Sequence, residues 1–344
     1  MRAFSRHIAA VIGASTALVL FAALLAGCAS SAGSGNTLTL YSAQHQQMTN
    51  ALAKAFERKT GATVRIRFGE DEGLANQIVQ ESSASPADVL LSENTPPLEL
   101  LAGKSLLAQV NGSTLAQVPA RYDSPSGHWV GVAARETALI YNPRLISASR
   151  LPASILDLAK PQWKGKLAIA PSEPDFVPIV SAIDKLDGRA ATERWLEGFA
   201  SNAKRYDDNE GIVAAVEGGQ VAAGVINHYY WYEQAAEVGA ANVHSKLYYF
   251  GHKDPGALVN VSGAGALSSS EHPALAQSFL AFLVSKEGQR AMTHSGDWEY
   301  PLVAGVAPPP GLRPFADLQA PEVGPADLGD GSGALALMQQ AGLL

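Results

Sequence analysis

Hydrophobic and polar residues follow two rhythms along this chain, short stretches alternating in twos and longer ones recurring every three to four positions. Leu38-Thr39-Leu40 alternates as a strand, and Met48, Leu52, Ala55 and Phe56 share one face of a helix over 48–59 that Gly61 stops. Val64-Arg65-Ile66-Arg67-Phe68 alternates again, and a helix over 74–80 leads into the apolar run Asp88-Val89-Leu90-Leu91, which reads as a buried strand. Similar units follow, with strands over 166–170 and 221–226 and helices over 191–199 and 229–238. A late helix over 274–284 carries Leu275, Phe279, Phe282 and Leu283 on one side. Strands alternating with helices predict parallel pairing in α/β layers. Apolar runs over 135–141 and 257–261 predict strands that pass from one lobe to another, and no repeat of fixed period is present.

The chain has 344 residues, enough for two domains or one large domain cut by a cleft. With 47% hydrophobic and 17% charged residues it has the makeup of a globular protein and not of a disordered one. Its 25 Lys and Arg against 32 Asp and Glu give a net charge of −7 with no basic stripe, which argues against a nucleic-acid partner. The single cysteine, Cys28, excludes internal disulfides and thiolate-rich zinc sites, so a metal in the body must use oxygen and nitrogen ligands.

Arg2 and Arg6 precede an uncharged apolar stretch over 8–25 that ends in Leu25-Ala26-Gly27-Cys28. This resembles a bacterial lipoprotein signal peptide over 1–27, with Cys28 as the lipidated residue. A plain membrane anchor is the competing reading, since 18 apolar residues nearly span a bilayer. Removal of the two arginines takes the formal charge from −7 to −9. Ser, Gly, Ala and Asn dominate up to Asn36, so 28–36 reads as a lipidated cysteine and flexible tether, and the body begins near Thr37. These features predict an extracytoplasmic monomer, lipid-anchored to a bacterial membrane.

In open α/β sheets ligands bind beyond the carboxyl ends of strands. The residues there are Tyr41 to His45, then Ser92-Glu93-Asn94, then Ser172-Glu173-Pro174-Asp175, then Asn227-His228-Tyr229-Tyr230-Trp231-Tyr232. Each has an ordinary structural reading alone: aromatics pack, histidines cap, carboxylates stay solvated and Pro-bounded acids shape turns. Their joint placement is what points to a site. Phenol, carboxylate and imidazole make a hard-to-borderline donor set, and only a strong Lewis acid displaces a phenolic proton near pH 7, so ferric iron fits best. Two successive tyrosines can reach one ion from the first turn of a helix, for which Asn227 is a suitable N-cap.

Those same residues resemble a known family, the transferrin-like ferric-ion-binding proteins that serve bacterial ABC importers. The likeness rests on Tyr41-Ser42-Ala43-Gln44-His45, Pro86-Ala87-Asp88-Val89, Asn227-His228-Tyr229-Tyr230-Trp231-Tyr232, Lys253-Asp254-Pro255-Gly256 and Glu299-Tyr300-Pro301-Leu302. It implies a two-lobed, type II periplasmic-binding-protein fold, with 37–135 and 261–310 as the N-terminal lobe and 136–260 and 311–344 as the C-terminal lobe. By position it places the ferric ligands on His45, Glu93, Tyr229 and Tyr230, anion-contacting asparagines on Asn209 and Asn227, and a cleft arginine on Arg135. It implies capture of ferric iron and delivery to an ABC importer permease, without chemistry.

The sequence departs from that family at the anion site. Where relatives have a small Ser-Gly-Ala turn that holds phosphate, this chain continues from Ser172 into Glu173-Pro174-Asp175, and Asn94 replaces a glutamine. Two acids repel phosphate and proline removes a donor, so water, carbonate or a carboxylate from this turn is expected to complete the iron shell. The rival functions are a binding protein for a polyamine, oxyanion or organic ligand on the same fold, and an extracytoplasmic hydrolase. No GxSxG, HExxH or Walker A motif supports the hydrolase, and Gly329-Asp330-Gly331-Ser332-Gly333-Ala334 fits a dinucleotide fingerprint only in letters, reading as a loop.

Overall fold

The computed structural model describes residues 36–344, so the signal peptide expected over 1–27, Cys28 and all of the tether but Asn36 lie outside the described residues. The first layer is built from parallel βα units. β1 (Thr37–Ser42) buries Leu38 and Leu40, and the helix Gln46–Thr60 that follows buries Met48, Leu52 and Phe56. That helix stops at Gly61, whose φ of 71° is left-handed and disfavoured for residues with a Cβ. β2 (Thr63–Phe68) and β3 (Val89–Ser92) lie parallel to β1 on its two sides, with the helix Asp71–Glu81 between them in sequence.

β4 (Val130–Tyr141) is twelve residues long and buried throughout, and it serves two halves of the molecule. Over its first half it pairs antiparallel with β9 (Val259–Ala266) and β10 (Tyr300–Pro301). Over its second half it pairs antiparallel with β7 (Ala223–Asn227) and β8 (Lys246–Tyr248). β5 (Leu167–Ile169) joins β7 and β6 (Ala203–Arg205) in parallel, which gives the order β2-β1-β3-β9-β4-β7-β5-β6.

The parallel pairing expected from the alternation therefore holds in the two outer trios, while the middle is antiparallel because its long strands are not members of βαβ units. The expected crossover at 135–141 is the second half of β4. That at 257–261 is corrected: Pro255–Ala257 is a 3-10 turn, since Pro255 has no N–H for a ladder and Asp254 accepts from Gly256 N–H, and β9 starts only at Val259.

Each half has its own core. One gathers Leu40, Phe56, Val89, Val132, Phe279 and Tyr300, and the other Leu139, Leu167, Val180, Trp195, Phe199 and Phe250. Leu312 belongs to the first core and Phe315 and Leu318 pack on it, whereas Leu328, Leu337 and Met338 belong to the second. Trp163 and Trp195 are core residues, and Trp298 packs against both the first core and the cluster around Tyr229. The pattern over Gly329 to Ala334 turns into the helix Ser332–Gln340 after Gly331, so only its beginning is loop. Among the described residues no helix is long and apolar enough to cross a membrane.

Candidate metal centre

Three segments bring donor atoms to one place. After β1, His45 takes the N-cap position of the helix Gln46–Thr60 but makes no cap bond, which leaves its ring free to face other elements. After β3, the loop carrying Glu93 and Asn94 is pinned by Asp71 at the start of the helix Asp71–Glu81. The buried Asp71 carboxylate accepts from Ser92 Oγ at 2.5 Å, Glu93 N–H at 3.1 Å, and Asn94 N–H and Nδ2, each at 2.9 Å. After β7, Tyr229 and Tyr230 lie in the first turn of the helix His228–Val238 with ring centroids 4.2 Å apart.

The Tyr229 hydroxyl donates to Glu93 Oε1 at 2.9 Å and also lies 3.2 Å from Asp175 Oδ2, and Tyr230 donates to the same Asp175 oxygen at 3.4 Å. His45 Nε2 is 3.7 Å from Glu93 Oε1, and its ring meets Tyr229 edge to face at 4.8 Å. Arg135, fully buried on β4, donates through Nη2 to Asn94 Oδ1 at 2.6 Å and Asp175 Oδ1 at 3.3 Å, with Nε 3.8 Å from Glu93. Asn209 Nδ2 reaches Asp175 Oδ2 at 3.5 Å.

Of the remaining residues singled out from sequence, Ser172 is exposed and donates to the Asp207 carbonyl, away from the tyrosines. Glu173 is half-buried and lines a small cavity with Asp175, Asn209 and Asn227. Asn227 holds the N-cap position, but its side chain makes no cap bond and its Nδ2 has no partner among the described residues. Asp175 itself occupies the N-cap of the helix Phe176–Asp187, with its carboxylate turned to the phenols instead of the helix N–H groups.

The electrostatics are those of a site built around a missing positive charge. Burial, and then the Asp175 and Glu93 charges, hold both phenols well above their ordinary range. Burial and Asp175 push the Glu93 carboxyl up to about 8, against the pull of Arg135 and His45. Burial would depress the His45 imidazolium, yet the Asp297, Glu93 and Glu299 carboxylates outweigh it and raise it to about 10. All four groups therefore favour their protonated forms at neutral pH. The outer edge of His45 opens on a cleft of about 620 Å³ lined also by Glu70, Glu210 and Glu233.

Sequence reasoning missed Asp71, Glu233, Asp297 and Glu299. Nothing local marks them: Asp71 looks like an ordinary acid in a first helical turn, and Asp297 sits in a Ser-Gly-Asp turn.

Comparison with known proteins identifies the family. Residues 38–296 match the family described as bacterial extracellular solute-binding protein. The Fe(3+)-binding periplasmic protein of Serratia marcescens is 43% identical over 95% of this chain and 97% of its own length. The major ferric iron-binding protein of Neisseria meningitidis serogroup B is 40% identical over 89% and 93%. The crystal structure of iron-bound HitA from Pseudomonas aeruginosa superposes with a TM-score of 0.86 at 45% identity, covering 89% of this chain and 99% of that one.

Proposed function

The chain belongs to the bacterial extracellular solute-binding proteins and, within them, to the ferric-ion-binding proteins of the periplasm, and on that premise we propose that His45, Glu93, Tyr229 and Tyr230 are the side chains with which it holds iron. It is a transport protein and not an enzyme: it captures ferric iron outside the cytoplasm and delivers it to an ABC importer permease. The observation that supports the ligand assignment is the convergence of the Tyr229 and Tyr230 hydroxyls with Glu93 and the Nε2 of His45.

Two phenolates and one carboxylate would neutralise a trivalent ion, with imidazole adding a neutral donor. Asp175, paired to Arg135 and already touching both hydroxyls, stands where an accessory anion would, so it, water or carbonate completes the shell. Glu70, Glu210 and Glu233 at the mouth favour approach of cations and repel phosphate-like ligands.

The two cores support a division into lobes, the first comprising 37–135 and 261 to about 320, and the second 136–260 and the remaining C-terminal residues. The packing of Leu312, Phe315 and Leu318 on the first core supports extending that lobe beyond the expected residue 310. His45 and Glu93 then come from one lobe and the tyrosines from the other, and the ion favours the closed state by bonding to both. The protein acts as a monomer, lipidated on Cys28 and tethered to the membrane.

Loading with ferric nitrilotriacetate tests the ligand set. A visible phenolate-to-iron charge-transfer band is expected, weakened or shifted in Tyr229→Phe and Tyr230→Phe and absent in the double variant. A full band and undiminished affinity in the double variant would overturn the assignment.

A further inference from the structure

We infer that Asp297 is the positioning residue that aims His45 at the metal, an inference that rests on the reading of His45 as a ligand. The two ring nitrogens of His45 face different surroundings. Nε2 points toward Glu93 and the phenols, while Nδ1 lies 3.4 Å from Asp297 Oδ1. Neither Nδ1 nor Oδ1 has a hydrogen-bond partner among the described residues, and both atoms are buried. Two buried polar atoms of complementary kind, committed to nothing else and facing one another, form a pair that ring rotation would break at the cost of leaving both desolvated and unpaired.

Asp297 is built to serve this role. It is 1% exposed, and its other oxygen, Oδ2, accepts from Ser295 Oγ at 2.8 Å, which turns Oδ1 toward the imidazole. The next residue, Trp298, takes a φ of 55°, a left-handed value that a bulky side chain rarely adopts. That backbone is held in place by its surroundings: the Trp298 carbonyl lies 2.9 Å from His228 Nε2, and its ring stacks on Tyr232. The His228 Nδ1 accepts from Glu136 N–H, so the Nε2 proton is the one that reaches the Trp298 carbonyl. Strain retained beside a functional group is a mark of a position set by more than local preference.

A second carboxylate, Glu233, also approaches Nδ1, at 3.9 Å. It is half-buried and stands on the helix of the tyrosines, whereas Asp297 lies between the helix Lys286–Thr293 and β10, whose Met292 and Tyr300 share the core of Leu40 and Met48 on either side of His45. Asp297 is thus held from the core that flanks His45 and, through Trp298, from the tyrosine helix, whereas Glu233 stands on that helix alone. A carboxylate on the far nitrogen of a metal-bound histidine fixes ring direction and leaves the near nitrogen unprotonated for the ion.

The test is a double-mutant cycle on ferric affinity, measured by competition with nitrilotriacetate. Asp297→Ala is expected to weaken binding about ten- to hundredfold, and to cost nothing further when added to His45→Ala. Asp297→Asn, whose amide oxygen still accepts from Nδ1–H, is expected to recover part of the loss, and it also serves if the alanine variant does not fold. In protein loaded with gallium and labelled with ¹⁵N-histidine, His45 Nδ1 should carry the proton in the wild type and lose its fixed environment in Asp297→Ala. Wild-type affinity in Asp297→Ala, or a loss that simply adds to that of His45→Ala, would overturn the inference. An undiminished affinity in His45→Ala would instead overturn the ligand reading beneath it.

Discussion

The Tyr229 hydroxyl donates to Glu93 Oε1 at 2.9 Å, joining the first turn of one helix to a loop 136 positions earlier in the chain. The proton between them is one that a cation bound by both oxygens would displace. The same holds for the Tyr230 proton facing Asp175 and for the proton that the surrounding carboxylates keep on His45.

Iron uptake should therefore release protons. At pH 7 both phenols are protonated, the Glu93 carboxyl is raised to about 8 and the His45 imidazolium to about 10, so binding expels between two and four protons. Affinity rises with pH and falls toward acid, by about tenfold per pH unit for each proton released. Proton counting in a pH-stat, corrected for the chelator, checks this, and release of fewer than two would contradict the two-phenolate shell.

Asp175 and Glu173 should behave differently, although they are two residues apart. Asp175→Ala removes the acceptor of the Tyr230 hydroxyl, the farther of two acceptors near that of Tyr229 and one partner of Arg135, so ferric affinity should fall and added phosphate should restore part of it. The like charge that disfavours phosphate, on the order of 1 to 4 kcal/mol for a close pair, is then gone. Glu173→Ser should change either quantity little. Titrations with and without phosphate decide it, and phosphate-independent binding in the Asp175→Ala variant would count against the role given to this carboxylate.

Asp71 supports the site without touching it. Asp71→Ala would leave the Glu93 and Asn94 donors without this acceptor, while Ser92 keeps the Asn94 carbonyl, costing about 1–3 kcal/mol for each buried donor left unpaired if nothing relaxes. A lower midpoint in urea together with weaker iron binding is expected, and Asp71→Asn should be milder in both. Unchanged iron affinity in a folded Asp71→Ala variant would show that the Glu93 loop holds itself.

His228 provides a pH signature of folding. Burial pushes its imidazolium down to about 4 from 6.5, with the Arg313 and Arg135 charges adding to the fall and the hydrogen bonds to the Trp298 carbonyl and Glu136 N–H opposing it. The unfolded chain takes up this proton below about pH 6.5 and the folded chain does not. The contribution of His228 to stability is thus complete above that pH and is lost at up to about 1.4 kcal/mol per unit as pH falls toward 4. Urea midpoints of wild type and His228→Gln should converge over that window, and a constant gap would show that the ring is not held neutral.

Local patterning determined much of this protein. Period-two and helical runs located β1, β2, β3 and the helices Gln46–Thr60 and Arg189–Asn202, because a half-buried strand or helix must expose one face and bury the other. Consecutive tyrosines after an asparagine, and a lone histidine and glutamate after buried strands, marked side chains that the fold brings together, since strand ends are where α/β layers leave polar side chains uncovered. Residues such as Asp71 and Asp297 carried no such mark. Asp71 acts on a loop more than twenty positions away, and Asp297 faces His45 across some 250, so their roles exist only once the chain has closed on itself. The course of the middle strands was also decided in three dimensions. β4 accepts partners from both halves because its two ends are buried against different cores, and a continuous apolar run records burial without recording which neighbour provides it.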